Sequence, residues 1–187
     1  MLSHNTCDLL RDNFAEMLLA HSAPGGMILS QNSGCEGVRY FEFNKKEDHS
    51  LVERLDLLVE AVSSYKWSKR DGVVNLEPRN VPTKLLDITV ARFVYNTNSD
   101  PTTIISSLKN TTEFSREMER MKLHDGPYFG GLQSPPSRKP GTEVVLLNKS
   151  VRQILNDIVQ QRGRGLWVYT ESVNRGLHRF TLEMVIK

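Results

Sequence analysis

TEVVLLNKSVRQILNDIVQQRGRGLWVYT, residues 142–170, reads as strand, helix and strand, and the rest of the chain is organised around it. Val144 to Leu147 is a four-residue apolar run, which fits a strand buried on both faces. Asn148 or Ser150 supplies a short polar side chain to cap the helix that follows. Val151, Ile154, Leu155, Ile158 and Val159 then fall at helical spacing and make one apolar stripe, with Arg152, Gln153, Asn156, Asp157, Gln160 and Gln161 opposite. Gly163 and Gly165 stop the helix, because glycine tolerates the left-handed conformation of a C-cap. Leu166 to Tyr169 is a β-branched and aromatic strand. The stretch predicts a helix lying on a sheet with its stripe inward.

An earlier stretch has the same order. Residues 38–78 read as strand, capped helix (LVERLDLLVEAV), an aromatic strand containing Trp67, a tight turn at Asp71-Gly72 and a returning strand. Asp-Gly between two β-prone runs is the strongest short-range hairpin signal. Before it, the apolar residues from Leu9 to Leu19 predict an amphipathic helix over 7–21, and Gly26 to Leu29 a short strand. Between the two units come a strand centred on 89–95, a helix begun by Asp100-Pro101 and a charged helix over 111–122. GPYFGGLQSPPSRKPG, residues 126–141, is a Gly/Pro-rich loop. Residues 177–186 form a last strand whose imperfect alternation suggests a bulge near Arg179. The expected fold is α+β: two small mixed sheets with helices packed on one face, built from repeated strand–helix–hairpin units. The units span 1–79 and 80–187, the second carrying an inserted helix and loop at about 110–141.

Composition narrows the function. With 39% apolar and 25% charged residues the chain is ordinary for a globular protein, and a net charge of +2 argues against a dedicated nucleic-acid binder. No window approaches the roughly 18 apolar residues of a membrane span. No signal peptide is visible in MLSHNTCDLLRDNF. Cys7 and Cys35 are two buried thiols or a disulfide; bonded, they would close a loop of about 29 residues, worth roughly 3–4 kcal/mol.

No catalytic constellation stands out. His4, His21, His49, His124 and His178 lack metal-ligand spacing, and His124-Asp125 is the one adjacent His–carboxylate pair. The glycines of GPYFGG and QRGRGLW match neither phosphate-loop pattern, and Gly163 and Gly165 sit at the wrong end of a helix for anion binding. Arg152, Arg162, Arg164 and Arg175 near Trp167 and Tyr169 make a candidate basic patch for single strands. Tyr128, Phe129 and Leu132, apolar groups on the 126–141 loop, are the candidate partner-binding residues. The expectation is a non-enzymatic interaction module without cofactor or metal. It contacts a protein partner and has sheet edges through which two copies could pair. A small-ligand or nucleic-acid binding domain, and an enzyme of unrecognised type, are the alternatives.

The helix of LxxLLxxx type followed by Tyr65, Trp67, Asp71, Gly72 and Val73 resembles the short N-terminal domain of secretins and TonB-dependent receptors. Val151–Val159 and Leu166–Tyr169 match it a second time. The chain also resembles uncharacterised bacterial envelope proteins in the phrases NLEP, LLDI and ILNDIV…LWVY. The resemblance implies protein–protein contact in the cell envelope, and a periplasmic or exported protein whose signal has been removed. A cytoplasmic location stays open.

Overall fold

The computed structural model describes residues 6–30, 49–81, 83–126, 141–174 and 176–185. The expected strand at 38–43, together with Cys35, Tyr128, Phe129, Leu132 and Arg175, lies outside the described residues. The elements are α1 (Thr6–Ala20), β1 (Gly25–Ser30), α2 (Leu51–Ala61), β2 (Tyr65–Arg70), β3 (Val73–Pro78), α3 (Lys84–Asp87), β4 (Thr89–Asn96), α4 (Pro101–Lys109), α5 (Thr112–Met121), β5 (His124–Asp125), β6 (Glu143–Ser150), α6 (Val151–Gln161), β7 (Leu166–Asn174) and β8 (Leu177–Val185). The fold is α+β with two sheets, one of six strands in the order β2-β3-β1-β7-β8-β5 and one of two, β4-β6.

Local chemistry accounts for the elements. Ser50 and Ser150 each cap a helix with a full capping box: the serine hydroxyl accepts from the N3 amide, and Glu53 or Gln153 accepts from the cap amide. Asp100 caps α4 ahead of Pro101 by accepting from the Thr102 amide. Asp71 and Gly72 both adopt positive φ, 51° and 80°, the turn whose twist matches the β2–β3 hairpin. α3 and β5 escape the sequence reading because each is too short to show a period.

β3, β1 and β7 run parallel at the centre of the large sheet, and every residue of β1 and β3 is buried. The hairpins β2–β3 and β7–β8 flank them. Pairing of β7 with β8 is continuous from Leu166↔Val185 to Asn174↔Leu177, so the expected bulge near Arg179 is not present. The alternation there is imperfect because this end of the hairpin leaves the core: Leu177 is exposed and Phe180 buried. β1 comes from the first expected unit and β7 from the second, so the two share a hydrogen-bonded seam.

Helices cover both faces of the six-stranded sheet, where the sequence placed them on one. Met27, Leu29, Val74, Leu76, Leu166 and Val168 pack with α1 and α2. Ile28, Val73, Trp167, Tyr169, Phe180, Leu182 and Met184 pack on the other side with α4 and α6. Each hairpin is pinned to its helix by an indole. Trp67 Nε1 donates to Asp56 Oδ1 of α2 at 2.8 Å, and Trp167 Nε1 to Asn156 Oδ1 of α6 at 2.8 Å. Cap, helix residue and tryptophan keep the same spacing in both places, on opposite faces. Gly26 lies opposite Trp167, and a Cβ there would stand 2.1 Å from the indole, so the ring occupies the space a side chain would need.

One polar cluster joins the halves. Arg152, buried on α6, donates to Glu77 Oε2 at 2.9 Å and to Thr83 Oγ1 at 2.8 Å, while Lys66 and Arg70 approach Glu77 Oε1 from the solvent side at 3.5 and 3.4 Å.

Candidate functional site

The residues singled out for chemistry are dispersed. Cys7 sits in the first turn of α1, buried against the α1–α2 core. His124 is exposed on β5, but its neighbour Asp125 is held by Lys109, whose ammonium lies 2.7 Å from Oδ1 and 5.2 Å over the Phe180 ring. Its carboxylate is therefore engaged elsewhere. Among the described residues, no three His, Cys, Asp or Glu side chains converge on a metal position. The basic patch is not assembled: Arg152 is consumed by Glu77, and Arg162 donates to the Ser99 carbonyl. Burial lowers the Arg162 pKa. Trp167 and Tyr169, expected beside that patch, are core residues.

The surface the structure adds is the two-stranded sheet. β4 and β6 pair antiparallel from Thr89↔Ser150 to Asn96↔Glu143. Val90, Phe93 and Tyr95 of β4 are core residues, with Val144 and Leu146 of β6 packed against them. Val145 and Leu147, on the alternate positions of β6, face outward and are 45% and 58% exposed. The Val144–Leu147 run is therefore half exposed, not buried on both faces. Four consecutive apolar residues read alike in either case, and only pairing with a lone partner strand distinguishes them.

Its two edges differ. The Ala91 amide of β4 donates to Glu113 Oε1 of α5 at 3.0 Å, and that bond lowers the Glu113 pKa and keeps the carboxylate charged. Among the described residues β6 has no strand neighbour besides β4. A row of backbone donors and acceptors beside two exposed apolar side chains is a ready template for another strand. The ribbon is held firmly underneath. Tyr95 donates its hydroxyl to Gln161 Oε1 of α6 at 2.7 Å, and burial pushes the phenol up to about 12. Phe93 stacks on Tyr95 with centroids 5.9 Å apart. The edge is presented on a rigid base.

A second feature is a cleft of about 280 Å³ at the carboxyl ends of β3, β1 and β7, lined by Ser30, Asn80, Glu171, His178 and Arg179 among others. Open parallel sheets place ligands at this end of their strands. Tyr169, buried in the core, donates to Glu171 of that lining, and burial together with that carboxylate raises the phenol pKa. Among the described residues no carboxylate pairs with Arg179. No helix among the described residues is long and apolar enough to cross a membrane. Comparison with protein-family models, with curated proteins and with solved structures finds no match to this chain.

Proposed function

We propose that the protein is a non-enzymatic protein–protein interaction module of the bacterial cell envelope, and that the outer edge of β6 is its contact element. The observation that carries this is the pairing of a strand edge that has no strand neighbour besides β4 among the described residues with outward Val145 and Leu147. A partner strand added there would take main-chain hydrogen bonds from β6 and set its own side chains beside Val145 and Leu147, the β-augmentation mode of recognition. The envelope assignment, periplasmic or exported, is supported by the resemblance to the short N-terminal domain of secretins and TonB-dependent receptors. Mass analysis of protein from its native host, reduced and unreduced, tests it. A Cys7–Cys35 bond in an envelope fraction supports export, and free thiols in the cytosol would sink it.

Contact through β6 is tested with Leu147→Lys, which places a charge on the edge without touching the core. The variant is expected to keep its circular dichroism and to lose co-sedimentation with envelope proteins. Leu57→Lys, at a 39% exposed position on α2, should retain it. Equal retention by both variants would refute the reading.

The carboxyl-end cleft supports a second reading, a small-ligand domain, with Arg179 as the cation that receives an anionic group. Thermal-shift screening against carboxylates and phosphates decides it: stabilisation that disappears in Arg179→Ala supports the reading, and no shift with any of them rejects it.

A further inference from the structure

We infer that the strand taken up by the β6 edge is β6 of a second copy of this chain, antiparallel to the first about a two-fold axis at Leu146; this rests on the reading of β6 as a contact edge. The sequence of the strand is close to self-complementary under that operation. Leu146 meets Leu146, Val145 meets Leu147 of the second copy, and Glu143 meets Lys149 at both ends. Directly opposed residues of an antiparallel pair point to the same side of the sheet, so both outward pairs fall on one apolar face flanked by opposite charges. A four-stranded sheet, β4-β6-β6-β4, results, and the exposed Val145 and Leu147 of each copy come into cross-strand contact with those of the other.

Neighbouring registers lack this match. A two-fold at Val145 sets Glu143 against Leu147 and leaves Lys149 without its acid; a two-fold at Leu147 sets Lys149 against Val145. A shift by one residue would put the apolar pairs of the two copies on opposite faces. Lys149 is available for the exchange. Its present partner is Asp157 at 3.5 Å, and the lysine side chain is 40% exposed, a loose surface pair. Asn148 has a φ of 51°, so the regular extended geometry ends at Leu147, and the end pairs require the Lys149 ammonium to leave Asp157 and turn to Glu143 of the second copy on its flexible stem. The other edge of the ribbon offers no equivalent, because Glu113 already takes the Ala91 amide.

Such a contact is small. About five residues a side fall well short of the ~800 Å² per partner of a stable interface, so association in the range of roughly 10⁻⁵ to 10⁻³ M is expected. Sedimentation equilibrium of the full chain reads it. Glu143→Lys and Lys149→Glu, each alone, turn both end pairs into like charges and should weaken self-association roughly three- to tenfold. Mixed one to one, the two variants restore opposite charges at both ends and should recover the wild-type constant. Weakening without recovery on mixing would overturn the register. A wild-type chain that stays monomeric into the millimolar range would overturn the second copy as occupant. If Leu147→Lys still abolishes envelope association in that case, β6 remains a contact edge for a different strand; if it does not, both readings fall.

Discussion

Replacing Trp167 with phenylalanine should cost several times what the same replacement costs at Trp67. Both indoles donate to a helix residue eleven positions earlier at 2.8 Å, so the hydrogen bonds match and only the surroundings differ. Trp167 is fully buried and its acceptor, Asn156, is 2% exposed. Trp167→Phe leaves the Asn156 carbonyl unpaired in the core, about 1–3 kcal/mol. It also leaves the space of the lost ring beside Gly26, about 1–2 kcal/mol on the scale of large-to-small core changes. Together that is about 3 kcal/mol, or a fall in Tm of roughly 6–12 °C for a chain of this size. Trp67 packs only partly against its core and its acceptor Asp56 is exposed, so water replaces the lost bond and the cost stays under about 1 kcal/mol. Urea unfolding followed by far-ultraviolet circular dichroism measures both without relying on the fluorescence the substitutions remove. Asn156→Ala, alone and combined with Trp167→Phe, isolates the coupling. Equal costs at the two tryptophans, or additivity in that cycle, would refute the buried-bond argument.

Arg152→Met should destabilise by about 1–3 kcal/mol, since Glu77 Oε2 and Thr83 Oγ1 lose their buried donor while Lys66 and Arg70 still face Glu77 Oε1, and adding Glu77→Leu should recover much of the loss; denaturant midpoints of the single and double variants decide. Gly26→Ala forces a methyl into the Trp167 ring and should cost at least about 1–3 kcal/mol, read as a lower Tm. The Tyr95 phenol is raised from 10.0 to about 12 by burial, so the neutral form is favoured in the fold. Its contribution is complete below pH 10 and lost as pH rises from 10 towards 12, where the unfolded phenol is already ionised. Tyr95→Phe should therefore flatten the loss of stability across that alkaline window, and an unchanged slope in pH-dependent unfolding would count against the assignment.

Much of the fold was legible because its signals are local. The serine caps at Ser50 and Ser150, the stripe of Val151, Ile154, Leu155, Ile158 and Val159, and the Asp71-Gly72 turn each act within a few residues. The similarity of the two helix–hairpin stretches was visible too, although not that Asp56 and Asn156 hold the indoles, since neither residue stands out among its polar neighbours. What sequence left open is which strands meet. The pairing of β1 with β7 joins Gly25 to Leu166 across the length of the chain, and nothing local in GGMILS specifies it. The exposure of β6 was misread for a related reason. Val144–Leu147 has the composition of a buried strand, and its exposure follows from β4 being its one neighbour among the described residues. The flanking Glu143 and Lys149 were the available hint that the run is amphipathic along its edge. The arginines failed as a patch because burial pairs Arg152 with an acid 75 positions away.

The most direct test of the interaction reading is a photo-activated cross-linker placed at Leu147 and, as a control, at Asp12 on α1, whose side chain is 63% exposed. Cells of the native host are irradiated and the protein is resolved by mass. The account predicts a discrete protein adduct from Leu147, at twice the chain mass if the second copy is the occupant, and none from Asp12. No adduct at Leu147, or the same adducts from both positions, would contradict it.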